Sequence, residues 1–327
     1  MPHGEAHLIE AAAETWPLAQ PFVIARGTKV EAHVIVARVT DGAASGRGEA
    51  VPYARYGETV EASLKALQAL SGPLDRERVA ALLPAGAARN ALDCALWDLE
   101  AKRAGKRAWE IAGLAPPRPT LTAYTLSLDT PEAMAAAARK VPQLKLLKLK
   151  LGGAGDADRM AAVRAARPDA RLIADANEAW SPDTLAPLLD AAARVGFELI
   201  EQPLPEASDA MLANMFHPLP ICADESAHTS ADLDRVAARY DAVNIKLDKA
   251  GGLTEALAMA RGACERGLKI MVGSMVATSL AAAPALLLAD MAHWVDLDGP
   301  LLLARDRMPG LAIETGIISP PPPELWG

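Results

Sequence analysis

The sequence predicts an α/β protein, a parallel barrel of alternating strands and helices preceded by a small α+β domain. Two observations carry this reading. From Thr120 onward, short apolar runs alternate with alanine-rich amphipathic stretches, and the strand ends recur every 22 to 28 residues, at 125, 150, 175, 201, 224, 246, 274 and 296. Eight such units in series argue for a barrel over an open sheet, and no GxGxxG follows the first strand. Before about residue 118 the order changes to strands first and helices afterwards, the mark of an α+β unit.

In that first region Val30–Val39 alternates apolar and polar residues as a half-buried strand does, and Gly46–Ala50 begins a second after a turn. Thr59–Leu70 and Asn90–Arg103 have helical periodicity, the second bringing Leu92, Leu96, Trp97 and Leu99 to one side. Pro116, Pro117 and Pro119 mark a linker, which divides the chain into a domain over 1–118 and a barrel over 119–304. The barrel strands are expected at Thr122–Leu128, Lys145–Leu151, Arg171–Asn177, Leu199–Leu204, Ile221–Glu225, Ala242–Leu247, Ile270–Ser274 and Trp294–Asp298. Stretches such as Asp156–Ala166 and Leu253–Cys264 supply the intervening helices. The most apolar segment, Met275–Ala289, is broken by Thr278, Ser279 and Pro284, and reads as a buried helix rather than a membrane span. The tail over 305–327, rich in proline at 320–323, is expected to leave the barrel and return to the first domain.

Composition narrows the function. Lysine and arginine are interspersed with a slight excess of acids (net charge −8), so no basic stripe offers itself to nucleic acid. Cys94, Cys222 and Cys264 form neither a CxxC site nor a disulfide framework, which fits a reducing cytoplasm. The N-terminal MPHGEAHLIEAAAETWPL carries acids where a signal peptide has an apolar run. The expected partner is a small-molecule substrate, and a homo-oligomer is compatible with the composition.

The chemistry lies at the strand ends, which form the active face of such a barrel. Lys148 and Lys150 share one face of their strand, with Leu147, Leu149 and Leu151 on the other. Asp175, Glu201 and Asp224 follow on consecutive strands, and hard oxygen ligands without His or Cys suit Mg²⁺. Lys246 stands on the strand after the trio. A substrate carboxylate on Mg²⁺ has its α-proton acidified through the enediolate, and Lys150 and Lys246 could remove and return a proton on opposite faces. Either lysine acts as base only when neutral, which a nearby metal and the Lys148 ammonium favour. A lone KxK or an isolated DAN is usually a solvated strand face or a turn. The joint order and spacing make that reading of all of them together improbable. None of the six histidines (His3, His7, His33, His217, His228, His293) forms a metal-binding pair, and His228 is expected to face solvent.

The order KxK (Lys148–Lys150), DAN (Asp175–Asn177), EQP (Glu201–Pro203), ADES (Ala223–Ser226) and NIKLDKAGG (Asn244–Gly252) resembles the enolase superfamily, muconate-lactonizing subgroup. That resemblance implies a (β/α)₇β barrel with an α+β capping domain completed by the C-terminal tail. It also implies that Asp175, Glu201 and Asp224 hold one Mg²⁺ per subunit and that Lys150 and Lys246 are the acid/base pair. A lysine base with Mg²⁺ is the superfamily's known pattern, not something the spacing derives.

Substrate choice must come from elsewhere. Asp296 and Asp298, read as one strand face with Leu297 opposite, are similar to the ammonium-binding motif of dipeptide epimerases. The alternative for this pair is a cap on the turn before Gly299–Pro300. PFVIARG (Pro21–Gly27), PYARYGE (Pro52–Glu58) and LPAGAARNALDCALWDL (Leu83–Leu99) resemble the same branch. The first of these, taken as a loop ahead of the first strand, would close over the barrel mouth and bring Arg26 to a distal carboxylate. Tyr53, Arg55 and Tyr56 would belong to the same lid.

The implied substrate is an Ala-Glu dipeptide, with its α-carboxylate on Mg²⁺ beside Lys148, its ammonium on Asp296 and Asp298, and its side chain toward Arg26. The implied setting is the recycling of cell-wall peptide. Thr125 and Ser274 are pocket polar groups or barrel filler. Other subgroup reactions (a cycloisomerase, an o-succinylbenzoate synthase or an N-acylamino acid racemase) would use the same lysines. The cycloisomerase and synthase substrates carry no free ammonium for the two aspartates. A non-catalytic metal-binding barrel would leave the buried charge cluster as pure cost.

Overall fold

The computed structural model describes residues 7–42 and 44–327. Residues 1–6, with His3 and Glu5 of the N-terminal segment, lie outside the described residues.

The chain opens with a long antiparallel hairpin, β1 (Leu8–Ile24) and β2 (Gly27–Asp41), joined to β3 (Ala44–Ala50) in the order β1-β2-β3. Strand β1 corrects the sequence reading, which started the sheet at Val30 and took Pro21–Gly27 as a loop. Its alanines, Pro17 and Pro21 mask the alternation, and as an edge strand it tolerates both prolines. Helices α1 (Val60–Gln68), α2 (Arg76–Leu82) and α3 (Ala87–Ala104) follow, then the single turn α4 (Ala108–Ile111). Helix α3 lies directly on β3. A Cβ at Gly46 or Gly48 would sit 2.1 Å from the carbonyl of Ala95 or Ala91, so only glycine allows this approach.

After the short strand β4 (Thr120–Leu121), eight parallel strands form the barrel: β5 (Tyr124–Leu126), β6 (Leu146–Lys150), β7 (Arg171–Asp175), β8 (Ile200–Glu201), β9 (Ile221–Ala223), β10 (Ala242–Lys246), β11 (Lys269–Gly273) and β12 (Trp294–Asp296). They pair in sequence order. The ring is drawn together between its first and last strands, where Ala123 N–H donates to the Val295 carbonyl at 2.8 Å. The helices between them are α5 (Pro131–Arg139), α6 (Asp156–Ala166), α7 (Pro182–Arg194), α8 (Leu233–Ala237), α9 (Leu247–Ala250), α10 (Leu253–Glu265) and α11 (Ser279–Ala285), and α12 (Gly299–Leu302) follows β12. The helix expected over Met275–Ala289 begins only at Ser279, because Ser274–Val276 serve the barrel mouth. Among the described residues, no helix is long and apolar enough to cross a membrane.

Strand parity explains the interior. Ala123, Leu146, Ile173, Leu199, Cys222, Ala242, Met271 and Trp294, one from each strand or its lead-in, plug the barrel with an apolar layer. Two residues further along the same faces come Thr125, Lys148, Asp175, Glu201, Asp224, Asn244, Gly273 and Asp296. The intervening Leu147, Leu149 and Leu151 point outward into the core beneath the helices. The charged layer is therefore a second storey on a dry floor.

The tail ties both parts together. Strands β13 (Ile313–Glu314) and β14 (Ile317–Ile318) form a small antiparallel sheet with β4. Trp326 is fully buried, its indole donating to the Cys94 carbonyl on α3, and Gly327 N–H donates to Asp98 at 2.8 Å. Helix α3 also grips the turn between α9 and α10. Arg89 donates to the carbonyls of Ala250 and Gly251, Asn90 to Asp248, and Asp93 accepts from both the N–H and the hydroxyl of Thr254. Gly252, at φ +118°, would place a Cβ 2.4 Å from the Asp93 carboxylate, so this turn admits no side chain.

Candidate active site

Strand register brings the predicted residues to one level. Lys150 lies beside Asp175, and Asp175 beside Glu201, as Cα partners of adjacent strands. Ligand oxygens of Asp175, Glu201 and Asp224 lie within 4.8 Å of one another, all three residues buried. This is a donor set of three hard oxygens, spaced to share a small dication. Asn244 donates to Glu201 Oε1 at 2.7 Å, which fixes that carboxylate's orientation.

The lysines surround the triad. Lys150 Nζ is 2.5 Å from Asp175 Oδ2, and Lys246 Nζ is 2.7 Å from Asp224 Oδ2. Strands β6 and β10 are four apart in the eight-strand order, so these two lysines stand on opposite sides of the barrel with the carboxylates between them. Lys148 lies deeper, 2.7 Å from Asp296 Oδ2 and 2.5 Å from Glu201 Oε2, the latter contact without hydrogen-bond alignment.

Burial pulls the Lys246 ammonium down, yet Asp224 and Glu201 outweigh it and hold the group well above its ordinary value. Lys148 is raised in the same way by Asp296, Glu201 and Asp175 against its burial. The expected depression of a catalytic lysine is thus reversed at Lys246 while the carboxylates are its partners. Lys249, which the sequence reading passed over although it stands inside NIKLDKAGG, is buried as well. Its ammonium bonds both the Asp224 carbonyl and, at 2.6 Å, Asp224 Oδ1.

A cavity of about 600 Å³, counting its open mouth, lies above this layer. Lys148, Lys150, Asp224 and Lys246 form its floor, with Asp296, Asp298, Thr125 and Ser274 on the wall. Asp298 does not continue the strand as expected: β12 ends at Asp296, and Asp298 turns into the start of α12. Both carboxylates still reach the cavity. Asp298 makes no side-chain cap to its helix and instead accepts the Thr125 N–H at 2.6 Å. Its carboxyl is pushed up to about 7, first by burial and then by Asp296. Asp296 Oδ1 is buried with no hydrogen-bond partner among the described residues.

The hairpin tip covers the opening. Phe22, Ile24, Arg26, Lys29, Tyr53 and Tyr56 line the cavity from the N-terminal side. Arg26 is already engaged, 2.7 Å from Glu225 Oε1 and 3.3 Å from Glu178 Oε2, and it also donates to the Asn177 carbonyl. Arg55, expected in the lid, sits outside the cavity lining and holds Glu178 at 2.9 Å. His228 is half-buried rather than solvent-facing. Its ring meets Tyr56 edge-on at 4.6 Å and one nitrogen lies 3.2 Å from the Glu225 carbonyl.

Residues 8–113 match the model of the mandelate racemase/muconate lactonizing enzyme N-terminal domain, and residues 132–323 match the enolase C-terminal domain-like model. The chain belongs to the mandelate racemase/muconate lactonizing enzyme family. It is an isomerase of that family. The L-Ala-D/L-Glu epimerase of Escherichia coli is 48% identical over 93% of this chain and 96% of its own length. An N-acetyl-D-glutamate racemase from Pseudoalteromonas is 44% identical over 90% of this chain and 95% of its own.

Among family structures, an Agrobacterium tumefaciens protein with homology to dipeptide epimerases superposes with a TM-score of 0.95 at 50% identity, covering 98% of this chain and all of that one. It holds sodium and L-Ala-L-Glu. A dipeptide epimerase of Enterococcus faecalis, complexed with Mg and L-Leu-L-Tyr, superposes with a TM-score of 0.88 at 28% identity over 97% of each chain.

Proposed function

We propose that this family member interconverts L-Ala-L-Glu and L-Ala-D-Glu by two-base 1,1-proton transfer at the glutamate α-carbon. The observation that carries the reading is the pair of buried acids on the cavity wall, Asp296 with an unbonded oxygen and Asp298 beside it. A buried carboxylate oxygen without a donor is costly, and a substrate ammonium supplies one. That ammonium at the wall leaves the dipeptide's carboxylate over the floor, where Lys148 meets it.

Asp175, Glu201 and Asp224 would hold Mg²⁺, the ion found in the Enterococcus relative. Bound there, the ion would draw charge from the substrate carboxylate and stabilise the enediolate left by proton removal. Carboxylates committed to a dication no longer hold the Lys246 proton, so the lysine can act as base. Lys150 and Lys246, on opposite sides of the barrel, take the proton from one face and return it to the other. Arg26 and its ion-pair partners close the distal end. Cys94, Cys222 and Cys264 are free, which fits a reducing cytoplasm, and the Ala-Glu substrate of this reading suits the recycling of cell-wall peptide.

A second reading, racemisation of an N-acyl glutamate, draws on the Pseudoalteromonas relative and on Asp298. A carboxyl near pKa 7 can donate to an amide oxygen as well as accept from an ammonium. One experiment tests both. The protein with Mg²⁺ in heavy water is given L-Ala-L-Glu and, separately, N-acetyl-L-glutamate. Deuterium at the glutamate α-carbon with appearance of the D epimer is expected for the dipeptide. Exchange confined to the N-acetyl substrate would transfer the assignment, and exchange in neither would end both.

A further inference from the structure

We propose that Gln202 is the residue that positions Asp224 for the metal, its side-chain amide replacing the strand pairing that ends short of this acid. The inference rests on the Mg²⁺ reading above and concerns how the chain builds that site.

The three acids are not held alike. Asp175 is paired on both sides, with Lys150 and with Glu201, and Glu201 is paired with Asp175 and with Cys222. Asp224 has neither support. The β8–β9 ladder stops at Cys222 and the β9–β10 ladder at Ala223, so Asp224 is the first residue beyond both. A ligand carboxylate on unpaired backbone takes its place from the groups that hydrogen-bond around it.

Gln202 supplies the missing contact. It follows Glu201, and its own N–H still donates to the Cys222 carbonyl at 2.8 Å. Its side chain carries on where the ladder ends, Oε1 accepting the N–H of Asp224 at 2.9 Å and that of Ser226 at 3.2 Å. Nε2 faces the other way and donates to the Leu204 carbonyl at 2.8 Å. An amide offers an acceptor and two donor hydrogens at once, so one side chain ties together two strand ends that each carry a ligand. At φ +34° Gln202 lies in the left-handed region, where a non-glycine residue persists only if its surroundings over-determine it.

A buried network keeps the amide from turning over. Asp209, fully buried and ion-paired to Arg239, accepts from the Ser226 hydroxyl at 2.7 Å and the Tyr240 hydroxyl at 2.8 Å. With those protons committed, the two hydroxyl oxygens are left as acceptors for Gln202 Nε2, at 2.8 and 3.0 Å. A reversed amide would set its oxygen against the Leu204 carbonyl and its hydrogens against two backbone N–H groups. None of Gln202, Ser226, Tyr240 and Asp209 lines the cavity, so this group reaches the reaction only through Asp224.

The test titrates the full-length protein, freed of metal by a chelator, with Mg²⁺ in a calorimeter, and follows epimerisation of L-Ala-L-Glu against Mg²⁺ concentration. Gln202→Met removes the amide at similar length. It should raise the Kd for Mg²⁺ by about tenfold or more at unchanged stoichiometry. The Mg²⁺ concentration for half-maximal rate should rise in step, while kcat at saturating Mg²⁺ recovers to about a third of wild type or better. A purely structural role would instead lower the stoichiometry and leave Kd alone. A folded Gln202→Met whose Kd stays within about twofold of wild type overturns the assignment. If Gln202→Met does not fold, Tyr240→Phe decides, because it removes one acceptor of Nε2. A Kd raised about threefold then supports the assignment, and an unchanged Kd overturns it. Wild type that binds Mg²⁺ without turning over the dipeptide sinks the proposed reaction and leaves the Gln202 comparison standing. Wild type that binds no Mg²⁺ sinks the metal reading and this inference with it.

Discussion

Asp248 offers a quantitative test of how the capping domain is joined to the barrel. Its Oδ1 accepts the Val51 N–H at 2.8 Å and the Asn90 amide at 3.0 Å, both from the N-terminal domain, and among the described residues it has no ion-pair partner. Burial, followed by smaller contributions from Glu58 and Glu49 among others, pushes the carboxyl up from 3.8 to about 7. The folded protein therefore keeps this proton longer than the unfolded chain does. Stability falls as pH climbs from about 4 to about 7, and the full penalty remains above that. At about 1.4 kcal/mol per pH unit, ionised Asp248 costs the fold about 4 kcal/mol.

Asp248→Asn retains an acceptor oxygen for both donors and cannot ionise. The variant should exceed wild type in unfolding free energy by about 2–4 kcal/mol at pH 8, with the advantage shrinking by about 3 kcal/mol at pH 4.5. Urea unfolding of both proteins at pH 4.5, 6 and 8 measures this, and taking the difference at each pH cancels the titration of every other group. A difference that stays flat across the three values would refute the reasoning, since it would mean that Asp248 is already neutral or already solvated.

Three further outcomes are expected. Asp93→Ala removes the acceptor of both Thr254 donors and should cost about 1–3 kcal/mol in thermal or urea unfolding. Lys150→Ala and Lys246→Ala should each abolish epimerisation in a polarimetric assay, while solvent exchange of one epimer only, read by NMR, survives in each and assigns that lysine to a face. Asp296→Asn should reduce kcat/KM for L-Ala-L-Glu by about a hundredfold, the scale of a lost buried charge pair, and the measurement is initial rate against dipeptide concentration.

The barrel was legible because its signal is redundant. Each strand–helix unit repeats the same pattern, and the alternation of Lys148 and Lys150 with leucines states which face is inward. The hairpin was less legible. Strand β1 has alanine on both faces and two prolines, so alternation carries little contrast there, and Lys29 was hidden with it. Family resemblance brought Arg26 to the mouth but could not show that Glu178 and Glu225 occupy it, since those contacts cross more than 150 positions. Lys249 went unnoticed for a different reason: it lies on a helical turn beyond the strand, where parity no longer indicates direction. At Asp298 the same break in periodicity changed the backbone path and left the side chain where the pattern had aimed it.

The grip of α3 on the turn after Lys246 has a consequence for remodelling this enzyme. Arg89, Asn90 and Asp93 contact backbone and polar groups between residues 248 and 254, starting two positions beyond a proposed catalytic lysine. The N-terminal domain is thus not an interchangeable specificity cartridge. A chimera that imported a foreign capping domain to change the accepted dipeptide would also replace the splint beneath Lys246. Grafts that carry the 248–254 turn along with its matching α3 should keep turnover, whereas grafts of the hairpin tip alone leave that splint untouched and exchange only the substrate-facing surface.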